Sequence, residues 1–410
     1  MKQKIKQIQN EEVPEDWEFK PLNEAVEINP KRDLKKGTKS KYVSMHDLKE
    51  FNKKIQGFIF RDFNGGSKFQ NGDAVMARIT PCLENGKTAF VDILDEKEIA
   101  AGSTEFIVLS GKEGETINEF VYYLSRSPKM RADAIASMTG TSGRQRVQID
   151  LLGIKEVLVP PVSEQKIIAK ILSDLDDKIE LNKKMNKFLE AIGLNLFRRW
   201  FIDLEKIPKG WKSARLGDYV DAIKGCSYRS EDLQESDSAL VTLKSINRGG
   251  GLNQEGYKEY VGKYKEEQIL QDGDIIVAQT DLTQKAEVIG TPAIVNVIDG
   301  YKNLIASLDL QIVRPREQLL KSFVYYLLKC KNFHDHALSY TNGTTVLHLS
   351  KNAVPEFEFL VPDQNTLKKF DLIAKNLLLR IKANNIEIDR LSKIRDILLP
   401  KLMGGEIRVG

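Results

Sequence analysis

Two long stretches of the chain carry apolar residues at heptad spacing among polar and charged ones. The pattern predicts two amphipathic helices, the first from after Pro161 to about Arg199 and the second from near Asp363 to before Pro400. The predicted pairing positions are Ile168, Ile171, Leu175, Leu189, Ile192 and Leu196, followed 202 residues later by Phe370, Ile373, Leu377, Leu391, Ile394 and Leu398. Since neither helix can bury its stripe alone, we expect an intramolecular antiparallel coiled coil.

An asparagine interrupts each stripe near its middle, Asn182 in the first helix and Asn384 in the second. In a symmetric antiparallel overlap the two side chains would meet near the centre, on a pseudo-twofold axis. Buried polar residues at such positions can fix the register of a helix pair. The alternative interpretation is that both asparagines face the solvent.

The segments before the two helices are duplicated as well. The run Phe-Val-Tyr-Tyr-Leu occurs at residues 120–124 and 323–327, Gly-Asp at 72–73 and 273–274, Gly-Thr at 140–141 and 343–344, and Val-Pro at 159–160 and 361–362. Short β-type runs alternate with turns around these landmarks. The sequence therefore predicts an α+β fold with two mixed α/β globular domains, residues 1–160 and 203–361, each followed by a spacer helix, residues 161–202 and 362–410.

Composition narrows the class of protein only modestly. The chain of 410 residues is 41% hydrophobic, has a formal net charge of +4 and contains no apolar run of membrane length. Its three cysteines, Cys82, Cys226 and Cys330, lie far apart, which is typical of a reduced cytoplasm. The net charge permits binding to a polyanion without requiring it.

Motifs of catalytic or metal chemistry are weak. Gly86-Lys87-Thr88 resembles the end of a phosphate-binding loop, but the position that needs a glycine holds Pro81. His334 and His336 are two residues apart on a predicted helix and so point in different directions. We therefore predict neither catalytic residues nor a metal site in this chain.

One polar loop of the first domain has the chemistry of nucleic-acid recognition. Residues 139–146 combine hydroxyls, glycines, a glutamine and two arginines just before the strand that leads into the first long helix. Arginine can pair with guanine and glutamine with adenine in the major groove, while hydroxyls suit phosphates. The alternative is an ordinary solvated basic loop. The predicted DNA-binding residues of this domain are Ser44, His46, Arg78, Thr80, Lys87, Thr141, Ser142, Arg144, Gln145 and Arg146.

The second domain keeps the glycine and threonine of that loop and changes the rest. With an offset of 203 residues, Arg144 and Arg146 correspond to Leu347 and Leu349. A repeated scaffold with unlike loops suits two different sequence elements at a fixed separation. The predicted DNA-binding residues here are Lys244, Asn247, Arg248, Gln279, Lys285, Asn342, Thr344, Thr345 and His348.

Nearly the whole chain resembles the specificity subunit of type I restriction-modification systems. The resemblance rests on the run Arg-Ile-Thr-Pro-Cys-Leu-Glu-Asn-Gly-Lys at residues 78–87, on Gly140-Thr141, on Val-Pro-Pro-x-x-Glu-Gln-x-x-Ile at residues 159–168 and on the tandem domain-helix layout. The second copy departs from it, with Pro362-Asp363-Gln364 in place of the Pro-x-x-Glu-Gln element and Gln279-Thr280-Asp281 in place of Arg-Ile-Thr.

The resemblance implies two target recognition domains, each reading half of an asymmetric, interrupted site in double-stranded DNA, with the helices as a ruler between them. It also implies two adenine-N6 methyltransferase subunits that use S-adenosylmethionine, and restriction subunits that use ATP and Mg²⁺, while this chain binds no cofactor and is not an enzyme by itself. A coiled-coil scaffold or adaptor for proteins, without DNA binding, is the main alternative, and a self-contained nuclease is a third hypothesis.

Overall fold

The computed structural model describes residues 13–141, 143–248, 250–254, 256–283, 285–297, 300–316 and 321–409. They form two compact units. Unit 1 combines Met1–Glu180 with Ile388–Gly410, and unit 2 is Leu181–Glu387. Within the described ranges, no helix is both long and apolar enough to span a membrane.

The described residues of unit 1 form two four-stranded sheets and two short strand pairs. Its strands are β1 Glu18–Pro21, β2 Val26–Ile28, β3 Lys39–Val43, β4 Ile59–Asp62, β5 Ser67–Phe69, β6 Ala74–Ala77, β7 Thr88–Phe90, β8 Ala100–Gly102, β9 Phe106–Gly111, β10 Met138–Thr139, β11 Arg146–Val147 and β12 Glu156–Val159. Its short helices are α1 Leu22–Ala25, α2 Asn118–Arg126, α3 Pro128–Ala136 and α4 Ile149–Gly153. The sheet orders are β2-β9-β6-β7 and β4-β3-β8-β5, and the pairs are β1-β12 and β10-β11.

Unit 2 has a related plan, and its described residues form one four-stranded sheet, two three-stranded sheets and one strand pair. Its strands are β13 Lys212–Arg215, β14 Val220–Lys224, β15 Ser238–Val241, β16 Tyr257–Glu259, β17 Ile275–Ala278, β18 Thr280–Asp281, β19 Pro292–Ile294, β20 Asn303–Ala306, β21 Leu310–Pro315, β22 Thr341–Asn342, β23 Leu347–Leu349 and β24 Glu358–Val361. Its short helices are α6 Lys321–Lys329 and α7 Lys331–Ser339. The sheet β14-β21-β17-β19 corresponds to β2-β9-β6-β7, and the pair β13-β24 corresponds to β1-β12. The α+β class and the duplication predicted from the sequence are confirmed.

The repeated sequence landmarks are structural. The Phe-Val-Tyr-Tyr-Leu runs lie in α2 and α6, where all their side chains are buried in the core of their own unit. Gly72 and Gly273 adopt left-handed backbone conformations, with φ of 93° and 77°, as their turns require. The aspartates that follow, Asp73 and Asp274, each accept a turn amide and pair with an arginine of their own unit.

The two long helices are α5, Val162–Phe197, and α8, Gln364–Gly404. A π-helical turn, Arg198–Ile202, extends the first of them. The predicted end of the second helix before Pro400 is wrong, because the helix continues through this proline. Leu399, Leu402 and Met403 are buried in the core of unit 1, and this packing offsets the backbone hydrogen bond that the proline cannot make.

The predicted antiparallel pairing of α5 and α8 is confirmed within each unit. In unit 1, Arg395 of α8 contacts Asp176 of α5 at 2.7 Å. In unit 2, Asn186 of α5 donates to Asn385 of α8 at 2.7 Å. Asn182, four residues earlier in α5, contacts Glu387, two residues later in α8. In unit 1, Glu164 near the start of α5 contacts Arg408, which follows the end of α8. In each unit the partner of a residue in α5 thus moves backwards along the chain of α8 as α5 advances.

The buried stripe, however, does not follow the predicted heptads throughout. Ile168 and Phe370 are fully buried, but Ile192, Ile373 and Ile394 are exposed, by 52%, 42% and 46%. At about 3.6 residues per turn, Ile192 and Ile394 lie roughly 120° around their helices from Ile168 and Phe370, whereas Phe197 and Leu399 return to within roughly 20°. Phe197 and Leu399 are accordingly buried. The remaining predicted positions are half-buried, namely Ile171, Leu175, Leu189, Leu196, Leu377, Leu391 and Leu398.

The two central asparagines are buried but do not meet. Asn182 and Asn384 are 0% and 1% exposed, so the solvent-facing alternative is wrong. Asn182 donates to Glu387 at 2.9 Å, and Asn384 donates to Asn186 at 2.8 Å. The register is displaced by about one helical turn from the symmetric overlap, so each asparagine faces a different polar residue of the other helix.

A buried carboxylate of α5 contacts α8 in unit 1. Asp176 accepts hydrogen bonds from Tyr123 of α2 at 2.9 Å and Arg395 of α8 at 2.7 Å, and Arg126 of α2 lies 3.4 Å away. All four residues are less than 9% exposed. Buried charges of this kind are stabilising only when they are paired and hydrogen-bonded.

The equivalent tyrosine of unit 2, Tyr326, has no such partner. Its hydroxyl is buried and makes no hydrogen bond to any described residue. A Cβ at Gly193 of α5 would lie 2.0 Å from this hydroxyl oxygen. Glycine at position 193 therefore provides the space that the tyrosine ring occupies.

These two tyrosines give a matched pair of variants. We expect Tyr123→Phe to lower the free energy of unfolding by about 1.5–3 kcal/mol, because a hydrogen bond to a buried carboxylate is lost. Tyr326→Phe is expected to leave stability unchanged or slightly higher, since no bond is lost. Chemical denaturation of the full chain, followed by circular dichroism, measures both, and equal losses would contradict this account.

We expect Gly193→Ala to destabilise unit 2 by about 1–3 kcal/mol through overpacking against Tyr326, although alanine is favoured over glycine in a helix by about 1 kcal/mol. Gly404→Ala is the control, because a Cβ at this helical position meets nothing within 4 Å. Thermal unfolding compares the two variants. An unchanged or raised Tm for Gly193→Ala would show that the tyrosine can move aside.

Candidate nucleic-acid interface

In unit 1 the polar loop is held by backbone hydrogen bonds. Its strands β10 and β11 form a hairpin, and β11 lies beside residues 78–80. The amide of Val147 donates to the carbonyl of Arg78 at 2.9 Å, and the amide of Thr80 donates to the carbonyl of Gln145 at 3.0 Å. These bonds place the loop of residues 139–146 next to Arg78 and Thr80, two residues that were predicted separately.

Unit 2 uses the same arrangement. The amide of Leu349 donates to the carbonyl of Gln279 at 2.8 Å, and His348 pairs with Thr280. The structure therefore aligns Arg146 with His348 and corrects the sequence offset, which had matched Arg146 with Leu349. The loop of unit 2 is one residue shorter between its glycine and this strand position.

The predicted residues of the first loop differ in accessibility. Thr141, Arg144 and Arg146 are exposed and Gln145 is half-buried, while Ser142 lies outside the described residues. Arg146 forms a bidentate ion pair with Glu105, a residue that the sequence analysis missed. No local signal could have identified Glu105, because it lies 41 residues away in the chain.

Arg78 and Thr80 are half-buried beside the loop. Arg78 donates to the carbonyl of Val147 at 3.3 Å, and its Nε is buried without a partner among the described residues. The hydroxyl of Thr80 lies 3.5 Å from the sulfur of Met138. Both side chains thus contact the hairpin itself, and Arg78 retains donor capacity.

The other three predicted residues of unit 1 lie together at one 3-10 turn. Ser44 caps a 3-10 turn, and its hydroxyl donates to Asp47 at 2.7 Å. Lys87 donates to the carbonyl of Met45 in the same turn at 3.1 Å, and His46 is exposed beside it. Ser44 and Lys87 therefore organise the turn, while His46 is the side chain that the turn leaves accessible.

In unit 2 one predicted DNA-binding residue is buried and the others are exposed. Gln279 is 8% exposed, and its side-chain amide donates to Gln311 at 3.4 Å. Residue 279 joins β17 to β18, and its backbone is hydrogen-bonded to Asp309 and Leu349, so it does not lie in a surface loop. It is therefore not the surface donor that we expected. The exposed predicted residues are Lys244, Asn247, Arg248, Lys285, Asn342, Thr344, Thr345 and His348. Arg248 pairs with Glu287 at 3.2 Å, and Asn247 accepts from Asn253 at 2.9 Å.

Asp281 organises the loop that carries Lys285. One carboxylate oxygen accepts from the amide and the hydroxyl of Thr283, at 2.8 and 2.9 Å, and the other from the amides of Val288 and Ile289, at 2.7 and 3.3 Å. Burial alone would raise the pKa of Asp281, but these hydrogen bonds hold the pKa below its usual value. Asp281 is thus a structural anchor that the sequence analysis did not single out.

The described residues contain no cluster of three or more histidine, cysteine, aspartate or glutamate side chains suited to a metal. His336, one of the two histidines considered above, packs against Tyr340 and Phe357, and its Nε2 lies 2.9 Å from the carbonyl of Ala353.

Two units with one hydrogen-bonded scaffold and unlike polar loops define a tandem recognition protein. The chain belongs to the family of type I restriction modification DNA specificity domains, whose model matches residues 14–191 and 208–387. Its function is therefore DNA recognition in a type I restriction-modification system, and this family is in general not catalytic.

Several curated relatives carry the corresponding name. The chain is 29% identical over 326 residues to the type I restriction enzyme MjaIX specificity subunit of Methanocaldococcus jannaschii. The aligned region covers 73% of this chain and 71% of that protein. The chain is 24% identical to the HindI specificity subunit of Haemophilus influenzae, over 85% and 89% of the two chains. The crystal structure of a type I restriction-modification system S subunit from M. genitalium has a TM-score of 0.53 at 17% identity, covering 97% of this chain and 98% of that one. This last likeness concerns the fold.

Asp281→Asn tests the loop anchor. Each carboxylate oxygen of Asp281 faces two donors, so an asparagine amide must point its NH₂ group at one of those pairs. We expect a local cost of about 1–3 kcal/mol, seen as faster hydrogen exchange at Thr283, Val288 and Ile289. Because the folded pKa is lowered, the stabilisation is present above the unfolded pKa and is lost as the pH falls through the folded one.

The control for this variant is Asp335→Asn, which removes an exposed carboxylate whose one ion-pair partner among the described residues is Lys331 of the same helix. Unchanged exchange in both variants would contradict the anchoring role of Asp281.

Proposed function

We propose that unit 1 reads one half and unit 2 the other half of an asymmetric, interrupted site in double-stranded DNA. The target recognition domains are residues 1–160 and 203–361, and the segments that follow them, residues 161–202 and 362–410, are the spacer helices. The chain supplies specificity to methyltransferase subunits and to ATP-dependent restriction subunits of the same complex.

The observation that carries this proposal is the contrast between a constant scaffold and variable side chains. Both units attach the loop strand through the same backbone bond, from Val147 to Arg78 and from Leu349 to Gln279. At the equivalent exposed position, unit 1 presents Arg146 and unit 2 presents His348. Donors of different chemistry on one framework are suited to reading different base pairs.

The duplicated architecture also supports a partner stoichiometry. Two copies of the same fold offer two similar surfaces, and each can bind one copy of the same partner. We infer two methyltransferase subunits per chain, which hold S-adenosylmethionine, and restriction subunits that use ATP and Mg²⁺. This chain binds none of these cofactors and acts in the cytoplasm.

The first experiment is base-resolution mapping of N6-methyladenine in the host genome, with and without this gene. Loss of a single interrupted, asymmetric motif on deletion is the expected result, and it would reveal both half-sites. An unchanged pattern, with the methyltransferase gene expressed, would overturn the proposal and favour a protein scaffold instead.

Arg144→Ala tests the division of the site between the units. Arg144 is exposed in the unit 1 loop, and its side chain makes no hydrogen bond to any described residue. We expect relaxed specificity in one half of the motif only, with the other half unchanged. The measurement is the methylation motif of cells that carry the variant, with Lys129→Ala at an exposed position of α3 as the control. A uniform loss across all sites would instead assign Arg144 to phosphate binding.

A further inference from the structure

The ion pair between Arg146 and Glu105 has a defined geometry. Arg146 Nε lies 3.0 Å from both carboxylate oxygens of Glu105, and Nη2 lies 2.8 Å from Oε1. Within the described residues the guanidinium makes no other hydrogen bond. The carboxylate therefore occupies the Nε–Nη2 edge, and the two N–H groups of the Nη1–Nη2 edge, which point in parallel, remain available.

Both partners stand on rigid backbone. Glu105 directly precedes the buried strand β9, its carbonyl accepts from Arg78 at 2.9 Å, and its amide donates to Ser103 at 3.1 Å. Arg146 lies in β11 between the two backbone bonds that attach the loop to residues 78–80. An arginine held at both its backbone and its guanidinium loses little conformational entropy on binding a ligand.

We infer that Glu105 is a positioning residue that holds Arg146 for bidentate recognition of a guanine in the half-site read by unit 1. Guanine presents O6 and N7 side by side in the major groove, and a parallel pair of arginine donors matches them. The inference rests on the proposed function, and it adds to that function a specific base, guanine, and a positioning residue, Glu105.

Charge favours a base over a phosphate as the ligand of Arg146. The carboxylate of Glu105 offsets the charge of the guanidinium, which weakens attraction to the DNA backbone. The hydrogen-bonding edge is unaffected, and base recognition depends on that edge. Arg144 in the same loop has no carboxylate partner among the described residues, so the two arginines differ in this respect.

Unit 2 does not reproduce the pair. Asp309 stands at the position of Glu105, since its carbonyl accepts from the amide of Gln279 at 2.7 Å as that of Glu105 accepts from Arg78. Its carboxylate accepts from Thr280 at 3.1 Å rather than from His348. At this loop position the carboxylate-held arginine therefore belongs to unit 1, and we expect its effect to be confined to one half of the site.

The test uses the full chain in complex with its methyltransferase subunits. The wild-type motif is determined first, and duplexes with each of the four base pairs at every specified position are then methylated in vitro. For one guanine of a single half-site, we expect Arg146→Ala to reduce preference over the other bases by about tenfold or more. Glu105→Gln is expected to reduce preference at the same position, and Arg146→Lys not to restore it.

The control is the exposed pair of Arg316 and Asp221 in unit 2, removed by Arg316→Ala or Asp221→Asn. Neither variant is expected to change preference at that guanine. Thermal unfolding checks that the variants are folded, and the unchanged second half-site reports an intact complex.

Two results would overturn the inference. One is a uniform loss of methylation at all duplexes with Arg146→Ala, which assigns Arg146 to phosphate. The other is unchanged specificity with Glu105→Gln, which would show that Glu105 forms an ordinary surface ion pair and does not position Arg146. Both leave the proposed function standing, since the wild-type motif is measured independently. The absence of any defined wild-type motif would refute the proposed function itself.

Discussion

The pairing of α5 with α8 is the interaction on which the rest of the structure depends. Each helix has an apolar stripe that would face water if the helix stood alone, and most helical stability in proteins comes from packing such a stripe. Each contributes one half to unit 1 and the other half to unit 2, so neither core is complete without both helices. The core of unit 1 contains Ile168 and Leu172 from α5 with Leu399 and Leu402 from α8. Folding of the recognition domains is therefore coupled to pairing of the helices.

The two units pack α5 against α8 with different side-chain chemistry. Unit 1 buries a charge network around Asp176 and Arg395, and the duplication places Leu378 and Gly193 at the corresponding positions of unit 2. Without the carboxylate, Tyr326 packs over the glycine, and Glu190 is bound by Tyr325 and Lys329 instead. A buried polar network and a close-packed aromatic ring both define the distance between helices, but only the network also requires matching charges.

The sequence was sufficient for the features that depend on periodicity and repetition. The two helices, their antiparallel pairing and the duplicated α+β units follow from residues that occur in order in both copies. The displaced register of Asn182 and Asn384 could not be predicted, because it depends on which polar residues of the partner helix face them. Burial of Gln279 was also missed, since a polar residue that joins two short strands looks like a loop donor until its neighbours are known.

Recognition depends on a separation between backbone and side-chain roles. The loop strands of both units are attached by main-chain bonds to residues 78–80 and 279–281, and such bonds do not depend on side-chain identity. Exposed side chains such as Arg146 and His348 are therefore free to differ without loss of the scaffold. The exceptions are anchors such as Asp281, whose carboxylate replaces missing backbone partners. Substitutions at the anchors alter the loop itself, whereas substitutions at the exposed positions change only the donors and acceptors that the loop presents.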